Sequence, residues 1–309
     1  SRESAEPRCP SGGCCNQLAS APNQSGVRQR TVQERALFMS KIDINTLAEK
    51  LYPAVLDAGR LEMVHFKTGV AIETKRDRSP VTVADRDAEA ILLAALATVA
   101  PGIPVVAEEA VAAGEIPEPS NCYFLVDALD GTRLFIRGKP EFSVNIGLVE
   151  NGRPIFGVIY VPPTGDLFFT NGSDASFRAC APCAPAERIA FGKLAPVKLS
   201  SREPDPANLK AFNSFSAGSA GVGLLEALKV KEAVPVGSSL KFCLLAAGEG
   251  DLYARLGETS EWDTAAGDAV LRGAGGHVVR FDDHTPLAYG KPGWDNPFFI
   301  AHAPGVTLK

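Results

Sequence analysis

Apolar residues recur at helical spacing over 43–66, where Ile44, Leu47, Leu51, Val55 and Leu61 share one face. Pro53 lies inside that run and predicts a kink or a division of the helix. A second helical pattern fills 82–99, bounded by Pro80 and by Pro101-Gly102. Beyond it the runs shorten. Residues 104–107 predict a short strand ending at Glu108-Glu109, 110–121 a polar loop containing proline, and 123–126 a buried strand. Two strand patterns, 142–149 and 155–161, meet at Asn151-Gly152, a strong hairpin signal. Residues 166–170 predict a third strand of this meander, and 171–196 a loop-rich stretch. Short helices over 219–229 and 239–249 enclose a strand at Val234-Pro235-Val236. A strand over 251–256, a helix of small residues over 263–274 and a strand over 276–281 complete the pattern, with no internal repeat. Helices, then a meander, then alternating helix and strand predict a layered α+β fold.

Residues 1–38 carry no such period. Ser, Pro, Gly, Gln, Asn and Arg dominate them, which predicts a disordered extension, translated from upstream of a natural start at Met39. The remainder, 39–309, reads as a single domain with two sub-layers, about 39–200 and 201–309.

The chain of 309 residues is 45% hydrophobic and 22% charged, enough for a large core. A net charge of −5 argues against a general nucleic-acid-binding surface. It leaves room for a small anionic substrate, because a bound cation reverses the local sign. No apolar run reaches membrane-spanning length, and the N-terminus lacks the apolar segment of a secretory signal. Seven cysteines are an odd number over a long chain, which predicts a reducing compartment rather than a disulfide framework. Cys180-x-x-Cys183 has no second ligand pair and reads as a surface loop; Cys14-Cys15 sits in the tail.

The chemistry concentrates at four acidic loci. Val126-Asp127-Ala128-Leu129-Asp130-Gly131-Thr132 sets two carboxylates three residues apart, at the end of a buried strand and before a tight turn. Hard divalent cations take carboxylate and carbonyl oxygens, and the N–H groups of such a turn can hold a phosphate. Glu108-Glu109 ends another short strand, Asp263 starts a helix, and Asp85 lies in the first turn of the second helix. Each alone is also what an ordinary turn or helix cap looks like. Together, Glu108, Asp127, Asp130 and Asp263 can hold two or three Mg²⁺ ions, and Asp85 can orient Thr132 and a water.

These segments resemble a known family. Asp127 to Thr132 matches the D-x-x-D-G-T signature of the lithium-sensitive, Mg²⁺-dependent phosphatases of the inositol monophosphatase superfamily. Glu108-Glu109 resembles its E-E element, and Trp262-Asp263-Thr264-Ala265-Ala266-Gly267 its W-D-x-A-A-G element, followed by Gly275-Gly276. The motifs stand in the family's order, over about 43–303. Within the superfamily, three segments resemble the 3'(2'),5'-bisphosphate nucleotidases of the bacterial CysQ type. They are Ser79 to Asp85, Glu141 to Ile146 (with Pro140 in place of a Gly), and Gly237-Ser238-Ser239-Leu240-Lys241-Phe242-Cys243 followed by 251–256.

The resemblance implies an αβαβα layered sandwich and a phosphatase releasing AMP and phosphate from adenosine 3',5'-bisphosphate. It implies one metal on Glu108, Asp127 and the Leu129 carbonyl, and a second on Asp127, Asp130 and Asp263. Asp85, Thr132 and Glu108 would position the attacking water. Substrate would meet Leu129, Asp130, Gly131, Thr132, Ser238, Lys241, Arg255 and Asp263, with the scissile phosphate on the N–H groups of Gly131 and Thr132. It further implies cytoplasmic work, free or on the inner face of the membrane, with no nucleic-acid partner; the oligomeric state stays open, a homodimer being one arrangement. The rival within the family is an inositol monophosphatase or a related sugar phosphatase; outside it, a non-catalytic phospholigand-binding relative. Two segments depart from the nucleotidase pattern. Arg133-Leu134-Phe135 stands for Lys-Glu-Phe, and Ser201-Arg202-Glu203-Pro204 stands where S-R-S-H is expected near the base pocket, without the His.

Overall fold

The computed structural model of the protein describes residues 43–69, 71–75, 80–118, 120–183, 188–215 and 219–308. The tail 1–38, Met39 and Ser79 lie outside the described residues.

Helix α1 (Ile44–Thr68) starts where the Asp43 carboxylate accepts the Asn45 N–H at 3.0 Å. Pro53 does not divide it; the helix runs unbroken for 25 residues. Pro53 and Glu49, whose carbonyl loses its partner, are both exposed, so that carbonyl turns to water. A two-stranded ribbon of β1 (Ile72–Thr74) and β2 (Pro80–Thr82) leads into α2 (Val83–Val99). There Thr82 and Asp85 form a capping box.

Seven strands form the first sheet, in chain order: β3 (Val105–Ala107), β4 (Cys122–Asp130), β5 (Ser143–Glu150), β6 (Arg153–Val161), β7 (Asp166–Thr170), β8 (Ser176–Cys180) and β9 (Val197–Lys198). Only β3–β4 pairs parallel; the rest is an antiparallel meander. The β5–β6 hairpin turns at Asn151 and Gly152, both at positive φ.

Two expectations for this half are corrected. Glu108-Glu109 do not open a loop but start a helix, α3 (Glu108–Ala113). Its Glu-Glu-Ala-Val-Ala-Ala composition favours helix, and the buried Glu89 carboxylate of α2 accepts the N–H groups of Glu109 and Ala110 at 2.8 and 2.9 Å. The stretch 171–196 contains β8, which covers the edge of β7 and stacks Phe177 on Phe169. Cys180 ends that strand, and both it and Cys183 are free thiols.

The second sheet has five strands: β10 (Lys210–Asn213), β11 (Glu232–Pro235), β12 (Leu252–Arg255), β13 (His277–Arg280) and β14 (Phe299–His302), in the order β11-β10-β12-β14-β13. Strands β10, β11 and β12 run parallel; β14 is antiparallel to β12 and β13. The hydrophobic pattern predicts neither β10 nor β14.

Helices α1 and α2 cover one face of the first sheet. Between the sheets lie α6 (Leu240–Ala246) and α7 (Ala265–Gly273), and α5 (Ser219–Ala227) packs on the outer side of the second sheet through Leu225. The layers are therefore αβαβα. Helix α7 seats on Gly147 of β5 and Gly157 of β6: a Cβ at Gly147 would come within 2.8 Å of the Ala265 methyl, and one at Gly157 would strike the Ala266 carbonyl. This close approach holds Asp263, just upstream of α7, over the middle of the first sheet.

Candidate active site

Residues three apart on a regular strand point to opposite faces. Asp127 and Asp130 escape that rule because β4 carries a bulge. Asp127 pairs with Asn145 but Asp130 pairs with Ser143, so three steps on β4 match two on β5. The extra residue returns Asp130 to the side of Asp127. Inside the bulge the Leu129 N–H donates to Asp127 Oδ1 at 3.0 Å. Gly131 follows at φ 98, where a Cβ would lie 2.8 Å from the Glu141 carbonyl oxygen, and α4 (Thr132–Ile136) begins. The N–H groups of Leu134 and Phe135 return to the Gly131 carbonyl, and those of the preceding residues have no acceptor within the helix.

Glu108 at the start of α3, Asp127 in β4 and Asp263 beside α7 bring one carboxylate oxygen each within 4.8 Å of one another. Asp130 lies outside that group of three but close enough for its charge to act on Asp127 and Asp263. It accepts the Ser239 N–H through a short bond and the Asn145 amide at 3.4 Å. The Ser239 hydroxyl donates to Asn145 Oδ1 at 2.8 Å, which ties the substrate-side turn to the β4–β5 hairpin. Asp263 accepts the Ser260 N–H at 2.8 Å. Burial and the charges of the neighbouring carboxylates push Asp127 far above the usual carboxylate range and Asp263 up to about 8. Burial likewise raises Asp130, against the pull of Lys241, and Glu108, against that of Lys75. Lys75 Nζ stands 2.5 Å from both Glu108 and Glu109.

Asp85 and Thr132 meet beside this cluster. Asp85 Oδ2 accepts the Thr82 N–H at 2.8 Å and its hydroxyl at 2.7 Å, and Asp85 Oδ1 lies 2.9 Å from Thr132 Oγ1. The Leu129 carbonyl is a second acceptor for the Thr132 hydroxyl at 3.1 Å. The single hydroxyl proton thus points into protein, and the Thr132 oxygen is left as an acceptor for a water.

On the substrate side the structure refines the picture. Lys241 is buried, not a solvated surface charge. Its ammonium donates to the Val236 and Ser238 carbonyls at 3.1 and 2.5 Å and lies 4.9 Å from the Tyr253 ring centre. Burial lowers it to about 8, with Asp130 opposing. Ser238 adopts a positive φ of 51° that this ammonium holds in place. Arg255 closes β12 with its guanidinium on Ser214 Oγ at 2.7 Å and the Glu258 carbonyl at 2.5 Å.

Ser201-Arg202-Glu203-Pro204 lies at the other end of β12 from Arg255. Arg202 forms a bidentate pair with the buried Asp251, 2.7 and 2.5 Å, at the opening of β12. Arg255 closes that strand four residues later, roughly 13 Å away at about 3.3 Å per residue. Ser214, just after β10, meets Arg255 at that end. Glu89, Lys75, Asn145 and Ser239 were not singled out as site residues. Glu89 lies one helical turn after Asp85 on the same face, a second acidic residue among buried positions; the others carried no signal of their own.

The inositol monophosphatase family model matches residues 43–300. The chain belongs to that family. Among curated relatives, the 3'(2'),5'-bisphosphate nucleotidase CysQ of Shigella flexneri is 38% identical over 221 residues, 70% of this chain and 83% of its own length. That of Escherichia coli K12 is 36% identical over 219 residues, 70% of this chain and 83% of the relative. The crystal structure of CysQ from Bacteroides thetaiotaomicron superposes with a TM-score of 0.67 at 32% identity, covering 87% of this chain and 97% of that one. An IMPase from Thermotoga maritima shares the fold, with a TM-score of 0.63 at 23% identity over 81% and 89% of the two chains.

Members of this family are metal-dependent phosphatases, and the cluster fits that chemistry. Its donors are all hard oxygens, they converge from three elements, and without a cation they repel one another. Metal-free, the folded protein keeps protons on these carboxyls that the unfolded chain releases near pH 4. The folded pKa is raised, so stability present at low pH is lost as pH rises toward about 8. The melting temperature in EDTA should therefore fall by several degrees between about pH 5 and about pH 8, and Mg²⁺ should remove most of that slope. A flat or rising profile in EDTA, followed by differential scanning fluorimetry, would contradict the assignment.

Proposed function

We propose that the protein is a Mg²⁺-dependent phosphatase that removes the 3'-phosphate of adenosine 3',5'-bisphosphate, giving AMP and inorganic phosphate. The observation that carries this reading is the convergence of Glu108, Asp127 and Asp263, with the charge of Asp130 close by, beside the Asp85–Thr132 pair. The CysQ relatives and the two substrate-side cations, Lys241 and Arg255, support the nucleotide. The free thiols of Cys122, Cys180, Cys183 and Cys243 suit a reducing compartment, which supports the cytoplasm as its place of work.

In this reading Glu108, Asp127 and the Leu129 carbonyl would hold one Mg²⁺, and Asp127, Asp130 and Asp263 a second. Such ions would supply positive charge to the phosphate and to the charge developing on the attacking and leaving oxygens. The protein does the rest. Thr132 Oγ1 accepts a hydrogen bond from the attacking water and sets its lone pair toward phosphorus. Asp85, anchored by Thr82, holds the threonine proton away from that water. The free N–H groups at the start of α4 receive phosphate oxygens. Lys241 keeps Ser238 and the Ser239 N–H turned toward Asp130 and the substrate.

A comparison of kcat/KM for adenosine 3',5'-bisphosphate, its 2',5' isomer, inositol 1-phosphate and fructose 1,6-bisphosphate tests the substrate. The adenosine bisphosphates should lead by at least about tenfold, roughly 1.4 kcal/mol. Preference for inositol or sugar phosphate would move the function to the rival reading.

A further inference from the structure

Asp263 reaches the carboxylate cluster from a single short turn, Glu261–Asp263, rather than from a strand or a long helix. A distant segment, 288–296, grips that turn at two places. At one end the Asn296 N–H donates to the Thr259 carbonyl at 2.9 Å, and the Asn296 amide donates to the Ser260 carbonyl at 2.7 Å and to Thr264 Oγ1 at 3.0 Å. At the other end the Glu261 carboxylate, wholly buried, accepts the N–H groups of Gly290 and Lys291 at 2.8 and 2.9 Å and the Lys291 ammonium at 2.6 Å. Between the two anchors Gly293 and Trp294 both stand at positive φ, 80° and 66°. That conformation is costly for a tryptophan, so the loop is held by its anchors and not by local preference. The Trp294 ring packs edge-on against Tyr123 of β4, 5.7 Å between centres.

We propose that Glu261 is a positioning residue of the metal site: it clasps segment 290–296 to the turn and so holds Asp263 at the cluster. The inference rests on the reading of Asp263 as a metal ligand. A buried carboxylate is an expensive fastener unless its oxygens are fully met, and here three donors from two consecutive residues meet them. Glu261 and Asp263 flank Trp262, so one carboxylate fixes the turn to the clasp while the other faces the cluster. Outer partners of this kind fix the direction of a ligand, and their loss weakens metal binding more than it slows the loaded enzyme.

The test titrates Mg²⁺ alone against the melting temperature of wild type and variants, and in parallel against phosphate release. Glu261→Gln keeps the shape but sets an NH₂ group against these donors. It should raise the half-saturating Mg²⁺ concentration by about tenfold or more in both titrations, with a far smaller change in kcat at saturating Mg²⁺. Asn296→Ala releases the other anchor and should shift Mg²⁺ binding the same way, which keeps the inference testable if Glu261→Gln does not fold. Tyr289→Phe removes a hydrogen bond of 3.0 Å from the same segment to Asp268, away from the turn, and should lower the melting temperature at wild-type Mg²⁺ affinity. Wild-type Mg²⁺ affinity in Glu261→Gln or in Asn296→Ala, or an equal loss in Tyr289→Phe, overturns this inference alone. A wild type that Mg²⁺ does not stabilise overturns the metal reading and this inference with it.

Discussion

Asp127→Asn is expected to lower turnover by at least about a thousandfold, some 4 kcal/mol of transition-state stabilisation, while leaving the fold intact. The two effects separate because the residue's structural and chemical duties differ. Structurally, Asp127 accepts one hydrogen bond, from the Leu129 N–H inside the β4 bulge, and an asparagine oxygen accepts it equally well. The side chain is buried among Glu108, Asp130 and Asp263, so a neutral isostere removes the cost of keeping a carboxyl protonated there in the metal-free state. Chemically, Asp127 is the carboxylate common to both implied metal sites, and an amide supplies no charge there. The melting temperature in EDTA should hold or rise, and the stabilisation by added Mg²⁺ should shrink. A variant that keeps more than about a tenth of its turnover would remove Asp127 from the metal site.

Thr132→Val and Asp85→Asn should each cost about a hundred- to ten-thousandfold in kcat, and the double variant little more than the worse single one. Thr132 matters through the direction of one proton. Asp85 Oδ2 is committed to the Thr82 N–H and hydroxyl, so the oxygen facing Thr132 is its remaining acceptor. An asparagine at 85 keeps its oxygen on the Thr82 donors and turns its NH₂ toward Thr132. The NH₂ then takes a lone pair of Thr132 Oγ1, whose proton is left to the Leu129 carbonyl, so the oxygen is a poorer acceptor for the water. Valine at 132 deletes the acceptor outright. Both changes break the same step, so their costs overlap. Additive losses, measured by kcat at saturating substrate and Mg²⁺, would show that Asp85 and Thr132 act separately.

Much of this site was legible because its chemistry is local. Asp127 to Thr132, Glu108-Glu109 and Asp263 occur at element ends, where carboxylates converge in layered folds. The helix starts at Asp43 and Thr82 are written in single capping residues, and the β5–β6 turn in Asn151-Gly152. What was not legible is non-local. The β4 bulge that puts Asp127 and Asp130 on one side depends on pairing with β5, so a strand ending at Val126 was the natural reading. Helix α3 gains its first turn from Glu89, on another element. Strand β10, Lys-Ala-Phe-Asn, has two apolar residues and no period of its own; it exists because β11 and β12 flank it. Missing it left Ser214, which meets Arg255, without a place in the reading. The burial of Lys241 followed from no spacing, since its partners are the Val236 and Ser238 carbonyls and the face of Tyr253.

The most direct measurement is the fate of each phosphate. Adenosine 3',5'-bisphosphate is incubated with the protein and Mg²⁺, with and without excess EDTA, and the products are followed by ³¹P NMR. The account predicts loss of the 3'-phosphate resonance, equimolar inorganic phosphate and AMP that keeps its 5'-phosphate, all abolished by EDTA and restored by added Mg²⁺. Loss of the 5'-phosphate, or turnover that persists in EDTA, would contradict it.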